Sequence, residues 1–293
     1  MVAQNTPAAE VDVSVDLVRR LLREQHPDLA DRPIAVLANG WDNLMCRLGP
    51  DLVVRLPRRA VAARLVEHEQ RWLPRLAPRL PLPVPAPVRV GRSADDFPWS
   101  WSVVPLLPGE IAARCAPDDA SAAAGLLGRF LAALHVPAPS GFPVSPVRGV
   151  PLAARDEMTT ARLAHVDDPI IRARAQRAWT AALEVAAWSG SPRCLHGDLH
   201  PANILVHEGR ISAVIDFGDM TAGDPATDLS VAWTLLPPEQ HGAFRVAYGG
   251  VDDDSWARAR GWAVSLALAF LAHSADNPLM AGIGRRTLDA ALA

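Results

Sequence analysis

The segment 194–228 constrains the fold more than any other part of the 293-residue chain. It reads as a loop, a short apolar strand at 204–206, a tight turn at Glu208-Gly209 and a second strand at 211–215. A hairpin of this kind brings the polar residues at the ends of its strands to one place. Those residues are Asp198, Asn203 and Asp216.

These three residue types suit the transfer of a phosphoryl group from a magnesium-bound nucleotide to a hydroxyl. An aspartate can accept the proton of the acceptor hydroxyl, and an asparagine amide oxygen and a second aspartate are hard oxygen ligands for Mg²⁺. Three polar residues beside two strands can also be ordinary turn caps. Their joint spacing favours the catalytic interpretation.

The spacing matches the protein-kinase pattern, in which a histidine, an aspartate and an asparagine precede Asp-Phe-Gly. Gly197 follows His196, where protein kinases have an arginine that helps to read a phosphorylated activation loop. This departure argues against switching by phosphorylation. The chain after Asp216 also has no long activation segment, which argues against a protein acceptor.

The motifs His-Gly-Asp-Leu-His-Pro-Ala-Asn and Ile-Asp-Phe-Gly-Asp closely resemble those of the aminoglycoside phosphotransferase family, kinase-like enzymes that inactivate antibiotics. The resemblance implies an α+β, two-lobed protein-kinase-like fold. It implies a small β-rich N-terminal lobe at 1–105, a hinge at about 104–109, and a larger, mainly helical C-terminal lobe at 110–293.

The same resemblance assigns roles to the residues of the motifs. It implies that Asp198 is the catalytic aspartate, that His196 supports its loop by hydrogen bonding, and that Asn203 and Asp216 hold Mg²⁺ on the nucleotide phosphates. Asp228 matches an aspartate that braces the catalytic loop in that family.

The first lobe begins with predicted strands at 34–37, 44–48 and 52–56. The loop between the first two contains Gly40 and Asn43, which we expect to contact the nucleotide, because kinase-like folds lay backbone amides of such a loop over the phosphates. A single glycine does not make a glycine-rich loop, and a strand-loop-strand pattern of this kind is more often a plain β-hairpin.

Arg55 lies on the strand that resembles the carrier of the phosphate-binding lysine in kinases. Arginine stays charged and can fork onto phosphate oxygens, but it is longer and planar, so the exchange is not conservative. Because the sequence contains no lysine, we interpret Arg55 as the replacement. The alternatives are a different mode of nucleotide binding and a solvated strand arginine.

A helix is predicted at 60–73, ended by Pro74. The resemblance implies that one of its glutamates pairs with the phosphate-binding cation. Glu69 is preferred and Glu67 is the alternative; residues two apart point to different faces of a helix, so only one of them can reach Arg55. The strand predicted at 99–107 leads into the hinge, where the resemblance implies that the nucleotide base binds backbone groups of Val104 and Leu106.

Composition narrows the classes of partner. A net charge of -3 and a pI near 6.3 give no electrostatic case for nucleic acid or a membrane surface. The first 16 residues lack the pattern of a signal peptide, and the apolar run at 262–272 is too short to span a bilayer. We expect a cytoplasmic protein with no obligate protein partner.

The expected function is ATP- or GTP-dependent phosphorylation of a hydroxyl on a small molecule, first of all an aminoglycoside, which would confer antibiotic resistance. Polycationic aminoglycosides need carboxylates, and the candidates are at 156–157, 167–168 and 252–254. Such acidic runs are usually solvated. The alternatives are a macrolide or peptide-antibiotic phosphotransferase, a small-metabolite kinase, and a nucleotide-binding pseudokinase suggested by Arg55.

Overall fold

The structure is a computed structural model that describes residues 8–40 and 43–293. The chain forms two compact units. One consists of the residues up to Pro78 together with Pro83–Leu107, and the other consists of Arg79–Leu82 and Pro108–Ala293.

The first unit is built on an antiparallel sheet with two helices. Its helices are α1 (Val15–Gln25) and α2 (Ala60–Leu76), and its strands are β1 (Ile34–Asn39), β2 (Asn43–Leu48), β3 (Leu52–Pro57), β4 (Arg89–Gly91) and β5 (Trp101–Pro105). The strand order is β1-β2-β3-β5-β4, so β3 lies in the middle of the sheet.

Both helices of this unit are held by their apolar faces. Ser14 caps α1 by accepting a hydrogen bond from the Leu17 amide at 3.2 Å. The predicted end of α2 at Pro74 is wrong, because the helix continues to Leu76. A proline in the last turn removes only one backbone hydrogen bond, and the helix keeps the buried side chains of Leu73 and Leu76.

The second unit is mainly helical and has two small sheets. Its helices are α3 (Ala120–Leu134), α4 (Asp156–Arg162), α5 (Pro169–Leu183), α6 (Ala226–Leu229), α7 (Val231–Leu235), α8 (His241–Tyr248), α9 (Asp253–His273) and α10 (Pro278–Leu292). Its strands are β6 (Glu110–Ile111), β7 (Arg193–Leu195), β8 (Ile204–His207), β9 (Arg210–Val214) and β10 (Thr221–Gly223).

Helix α9 is the central helix of this unit. It packs against α4, α5, α6, α7 and α10, and most of its residues from Ser255 to Leu268 are buried. Its apolar run therefore forms the core of the unit. Within the described residues, no helix combines the length and the apolar character that a membrane crossing needs.

Candidate active site

A loop between two short sheets carries the central residues of the predicted site. Strand β7 pairs with β10, β8 pairs with β9, and residues 196–203 connect β7 to β8. The Ile215 amide, just after β9, donates to the Asn203 carbonyl at 2.9 Å. This bond brings Asp216 next to the end of the loop that contains Asp198.

Asp228 braces this loop from inside the core, as the sequence predicts. Its carboxylate accepts hydrogen bonds from the amides of His196 at 2.7 Å and Gly197 at 2.9 Å. Nε2 of the buried His135 lies 3.1 Å from the same carboxylate, and Nδ1 of His135 lies 2.9 Å from the Tyr248 hydroxyl. Burial opposes ionisation of Asp228, but hydrogen bonding to His135 and the other contacts lower its pKa.

His196 supports the loop through both ring nitrogens. Nδ1 accepts a hydrogen bond from the Asp198 amide at 3.2 Å, so Nε2 carries the proton and donates to the Ile215 carbonyl at 3.0 Å. The ring is fully buried and lies 4.5 Å from that of Phe217, measured between centroids. These contacts connect the loop of Asp198 to the end of β9.

Gly197 adopts a backbone conformation that other residues avoid. Its φ is +86°, and a Cβ atom at this position would lie 2.2 Å from the carbonyl oxygen of Asp219. No larger side chain fits there without moving the backbone. The structure thus explains why this chain has no arginine after the histidine.

The carboxylate of Asp198 has two basic neighbours. Nη2 of Arg148 donates to its Oδ1 at 2.7 Å, and Nε2 of His200 lies 3.3 Å from its Oδ2. Burial would raise the pKa of Asp198, but the charge of Arg148 and the hydrogen bond with His200 lower it well below its usual range. The side chain is 21% exposed, so a substrate hydroxyl can approach it.

Sequence reasoning missed Arg148 and His200. His200 lies inside the catalytic motif, two residues after Asp198, which was the available signal. Arg148 lies 50 residues before Asp198 in a proline-containing loop, and nothing in its local pattern points to the site.

The predicted metal ligands have oxygen atoms suited to Mg²⁺. Nδ2 of Asn203 donates to the Asp198 carbonyl at 2.9 Å, which leaves Oδ1 as the atom for a cation. Asp216 is exposed and has a φ of +63°. Burial, together with the nearby charges of Asp198 and Asp216, raises the pKa of Asp219, and a cation among these carboxylates would relieve that repulsion.

No group of three or more His, Cys, Asp or Glu side chains suited to a metal occurs in residues 8–40 and 43–293. A site with one asparagine and one aspartate fits a metal that is bound mainly through nucleotide phosphates and water, as Mg²⁺ usually is.

In the first unit, Arg55 pairs with Glu69, as preferred from the sequence. Nη1 of Arg55 lies 2.6 Å and 2.7 Å from the two carboxylate oxygens of Glu69, and both side chains are buried. Glu67 points elsewhere and lies 3.4 Å from the Ser100 hydroxyl. Arg55 is on β3 and Glu69 is on α2, so the pair fixes the helix to the sheet.

The loop between β1 and β2 is described in part, and Trp41 and Asp42 lie outside the described residues. The Gly40 amide donates to the Asn43 carbonyl at 2.9 Å, and the Gly40 carbonyl accepts from Nη1 of Arg58 at 3.0 Å. Asn43 is buried at the start of β2.

Val104 and Leu106 differ in what they offer a nucleotide base. Val104 is buried in β5 opposite Val53. The Leu106 amide donates to the Asp51 carbonyl at 2.8 Å, so its carbonyl oxygen is the group that remains for a base.

Residues 33–262 match the model of the Phosphotransferase enzyme family, abbreviated APH. The chain belongs to this family. The match includes the Arg55–Glu69 pair and the whole of the loop and hairpin that contain Asp198, Asn203 and Asp216.

Solved structures confirm the kinase-like fold of this phosphotransferase. The GDP and kanamycin complex of APH(2")-IIia is 20% identical with a TM-score of 0.69, and the match covers 94% of this chain and 97% of that one. The macrolide 2'-phosphotransferase MphH from Brachybacterium faecium is 26% identical with a TM-score of 0.62, over 95% and 97% of the two chains.

A curated relative, the uncharacterized protein YcbJ of Bacillus subtilis (strain 168), is 30% identical over 74 residues. The match covers 25% of this chain and 24% of YcbJ, so this phosphotransferase spans about a quarter of that relative's length.

Each acidic run expected to bind a cationic acceptor includes a residue with a structural contact. Asp156 accepts a hydrogen bond from the Trp179 indole at 2.8 Å. Asp168 caps α5 and Asp252 caps α9 through backbone amides. Asp253 pairs with Arg245 at 2.8 Å. These contacts give Asp156, Asp168, Asp252 and Asp253 a structural role that needs no substrate.

Proposed function

We propose that this phosphotransferase moves the γ-phosphoryl group of ATP or GTP to a hydroxyl of a small molecule, with Asp198 as the proton acceptor. The observation that carries the proposal is the position of Asp198. Its carboxylate is partly exposed, and its loop is hydrogen-bonded to the buried Asp228 and to the residues that precede Asp216.

In the proposed step, the acceptor oxygen forms a bond to the γ-phosphorus as the bond from that phosphorus to the β–γ bridging oxygen breaks. The bridging oxygen leaves with its electron pair on the nucleoside diphosphate, and the hydroxyl proton passes to a carboxylate oxygen of Asp198. A lowered pKa makes Asp198 a weak base, so positioning and electrostatic stabilisation must supply most of the rate.

Asn203 Oδ1 and the Asp216 carboxylate would hold Mg²⁺. When bound, the ion supplies positive charge that neutralises the phosphate oxygens. The chain's own contribution is to keep these two groups in place, and the bond from the Ile215 amide to the Asn203 carbonyl does so.

In the first unit we assign nucleotide binding to Arg55, held by Glu69, to Gly40 and Asn43 of the loop, and to the backbone near Val104 and Leu106. Arg55 has the charge and the fork geometry that phosphate oxygens need, and its buried pairing with Glu69 limits its motion. Loss of the usual lysine therefore does not by itself indicate a pseudokinase.

The class of acceptor molecule is a separate question from the reaction. The similar solved structures include a kanamycin complex of one enzyme and a macrolide 2'-phosphotransferase, so the acceptor differs among the relatives. The sequence leads us to expect an aminoglycoside acceptor and a role in resistance, yet at least one residue of each acidic run expected to bind it has a structural contact instead.

The test is mass spectrometry of small hydroxyl compounds incubated with the protein, Mg²⁺ and ATP or GTP. The panel should include aminoglycosides, macrolides, peptide antibiotics and hydroxy acids. The expected result is one added phosphoryl group on one class, lost in Asp198→Asn and kept in Asp16→Asn, an exposed aspartate in the first turn of α1. Full transfer by Asp198→Asn would overturn the assignment of the base.

A further inference from the structure

Three arginines of the second unit form a cluster that the proposed reaction does not explain: one contacts Asp198, and its charge acts on the other two. They are Arg148, Arg155 and Arg162, and we call them the arginine cluster. Arg155 is 5% exposed, and no carboxylate of the described residues lies within ion-pair distance of it. Its Nε is buried without a hydrogen-bond partner, and so is Nη1 of Arg162. A buried guanidinium without an anion is costly unless a ligand supplies one.

Arg155 and Arg162 face helix α9. Arg162 is the last residue of α4, and Arg155 immediately precedes its first residue. The guanidinium of Arg155 lies 5.8 Å from the ring centroid of Trp262. Nη2 of Arg162 lies 3.2 Å from Nε2 of His273 at the end of α9.

The same face of α9 contacts the catalytic loop. His200, which lies beside Asp198, has its ring centroid 5.2 Å from that of Phe270. Phe270 and His273 are three residues apart and are therefore neighbours on α9. Arg148 reaches the site from another loop and contacts Asp198 directly. Arg148 is thus the member of the arginine cluster that lies at the carboxylate where we place the acceptor hydroxyl, and Arg155 and Arg162 contact the helix that also contacts the loop of Asp198.

The three arginines also repel one another, which supports this arrangement. Burial and the charges of Arg148 and Arg162 lower the pKa of Arg155 to about 10. Burial and the charge of Arg148 lower the pKa of Arg162. Burial and the charge of Arg162 lower the pKa of His273 as well. The three arginines therefore form a local group of positive charge, although α4 begins with Asp156 and Glu157, and this group is unfavourable for a ligand cation bound directly at the arginines.

We infer that the acceptor of this enzyme is a hydroxyl compound with an anionic group, a carboxylate or a phosphate, which binds Arg155 and Arg162 while its hydroxyl lies at Asp198. This inference rests on the proposed function. Arg162 and Arg148 are partly exposed, so the anion can reach them from solvent. Planar guanidinium groups bind the oxygens of both kinds of anion in pairs.

The test is ligand binding by thermal shift on the full chain, with saturating Mg²⁺ and ADP to fill the nucleotide site. The anionic probes are glycerate, gluconate, glycerol phosphate and glucose phosphate. Each is compared with its neutral amide, alcohol or sugar at equal ionic strength, and kanamycin is the cationic probe. We expect at least one anionic probe to raise Tm and its neutral counterpart to do so much less. Preference for the carboxylates or for the phosphates identifies the anion.

Three variants locate the binding. Arg162→Gln and Arg155→Met should weaken the Kd of the anionic probe at least about tenfold, the effect of losing one charged hydrogen bond. Arg114→Gln removes an exposed arginine of the same unit and should leave the Kd unchanged. If Arg155→Met does not fold, Arg162→Gln decides.

The inference is overturned if none of the anionic probes raises Tm, if neutral probes or kanamycin bind as tightly, or if Arg162→Gln binds the anion like the wild type. Because binding is measured without turnover, these outcomes are separate from the phosphoryl-transfer test. Transfer to a neutral or cationic acceptor would leave the proposed function intact and remove this inference alone.

Discussion

The guanidinium of Arg148 forms an ion pair with the carboxylate of Asp198, with Nη2 and Oδ1 2.7 Å apart. This pair joins the residue that we propose as the proton acceptor to a loop 50 residues earlier in the chain. It favours the ionised carboxylate and ties its orientation to Arg148. The pair therefore affects both the pH dependence of catalysis and the angle at which Asp198 meets the acceptor.

Replacing Arg148 should change the pH profile. Burial raises the pKa of Asp198, and Arg148 is the first of the charges that lower it, so Arg148→Met raises that pKa. A base acts in its ionised form, and the acidic limb of kcat, at saturating acceptor, should move to higher pH. Because the wild-type limb lies below the usual range of an aspartate, kcat is measured from about pH 3.5 to about pH 9, and only the variant's acidic limb should enter this range. An acidic limb at the same pH in both proteins would contradict the role of Arg148, and Arg114→Gln is the control.

The buried pair in the first unit predicts an asymmetric effect of two neighbouring glutamates. Glu69→Gln leaves the buried Arg55 without its carboxylate and should lower the free energy of unfolding by about 3 kcal/mol. Glu67→Gln removes only an exposed contact with Ser100 and should cost less than about 0.5 kcal/mol. Urea denaturation of both variants measures the difference. Equal stabilities would show that the pair contributes little.

Gly197 and Gly242 form a matched pair for alanine substitution. Gly197→Ala places a Cβ atom against the Asp219 carbonyl at a positive φ, so it should lower the free energy of unfolding by about 2 kcal/mol or more. It should also reduce kcat at least about tenfold, because the loop of Asp198 must move. Gly242 lies in α8, and a Cβ atom added there would meet no other atom within 4 Å, so Gly242→Ala should stabilise by about 0.5–1 kcal/mol. Thermal unfolding and single-turnover rates test both. A silent Gly197→Ala would refute the steric argument.

Asp228 should make stability depend on pH. The pKa of Asp228 is lower in the folded state than in the unfolded state. Its contribution to the free energy of unfolding is therefore fully present above the unfolded-state pKa of about 3.9 and is lost as pH falls through the folded-state pKa. Asp228→Asn directs an amide group at the donors of His196 and Gly197 and should cost about 2–4 kcal/mol at neutral pH.

The difference in unfolding free energy between wild type and Asp228→Asn should therefore stay constant from about pH 7 to about pH 5 and shrink below about pH 4. Denaturation at several pH values measures it. A difference that grows on acidification would reverse the assigned sign.

Local sequence predicted those parts of the site that depend on neighbouring residues. Asp198, Asn203 and Asp216 could be found because their spacing belongs to one loop and one hairpin, and the bond from the Ile215 amide to the Asn203 carbonyl shows how that hairpin joins them. Helical geometry indicated that only one of Glu67 and Glu69 could reach Arg55, and in the structure Glu69 pairs with it while Glu67 lies near Ser100.

Contacts between distant segments could not be predicted in this way. Arg148 meets Asp198 because the fold of the second unit returns a proline-containing loop to β7, and neither segment carries a local signal of the other. Nothing in the local sequence distinguishes Arg155 from the other arginines, because its burial and its contact with Trp262 depend on packing against α9. The extension of α2 past Pro74 was likewise decided by the burial of Leu76.

The pairing of Glu69 with an arginine also determines how this enzyme responds to chemical probes of kinases. Reagents that acylate a nucleotide-site amine need a neutral nitrogen nucleophile, and the guanidinium of Arg55 stays protonated in water. In a chain without lysine, such reagents have no side-chain amine to modify. Surveys that find kinases by amine labelling would therefore pass over this protein even when its nucleotide site is fully occupied.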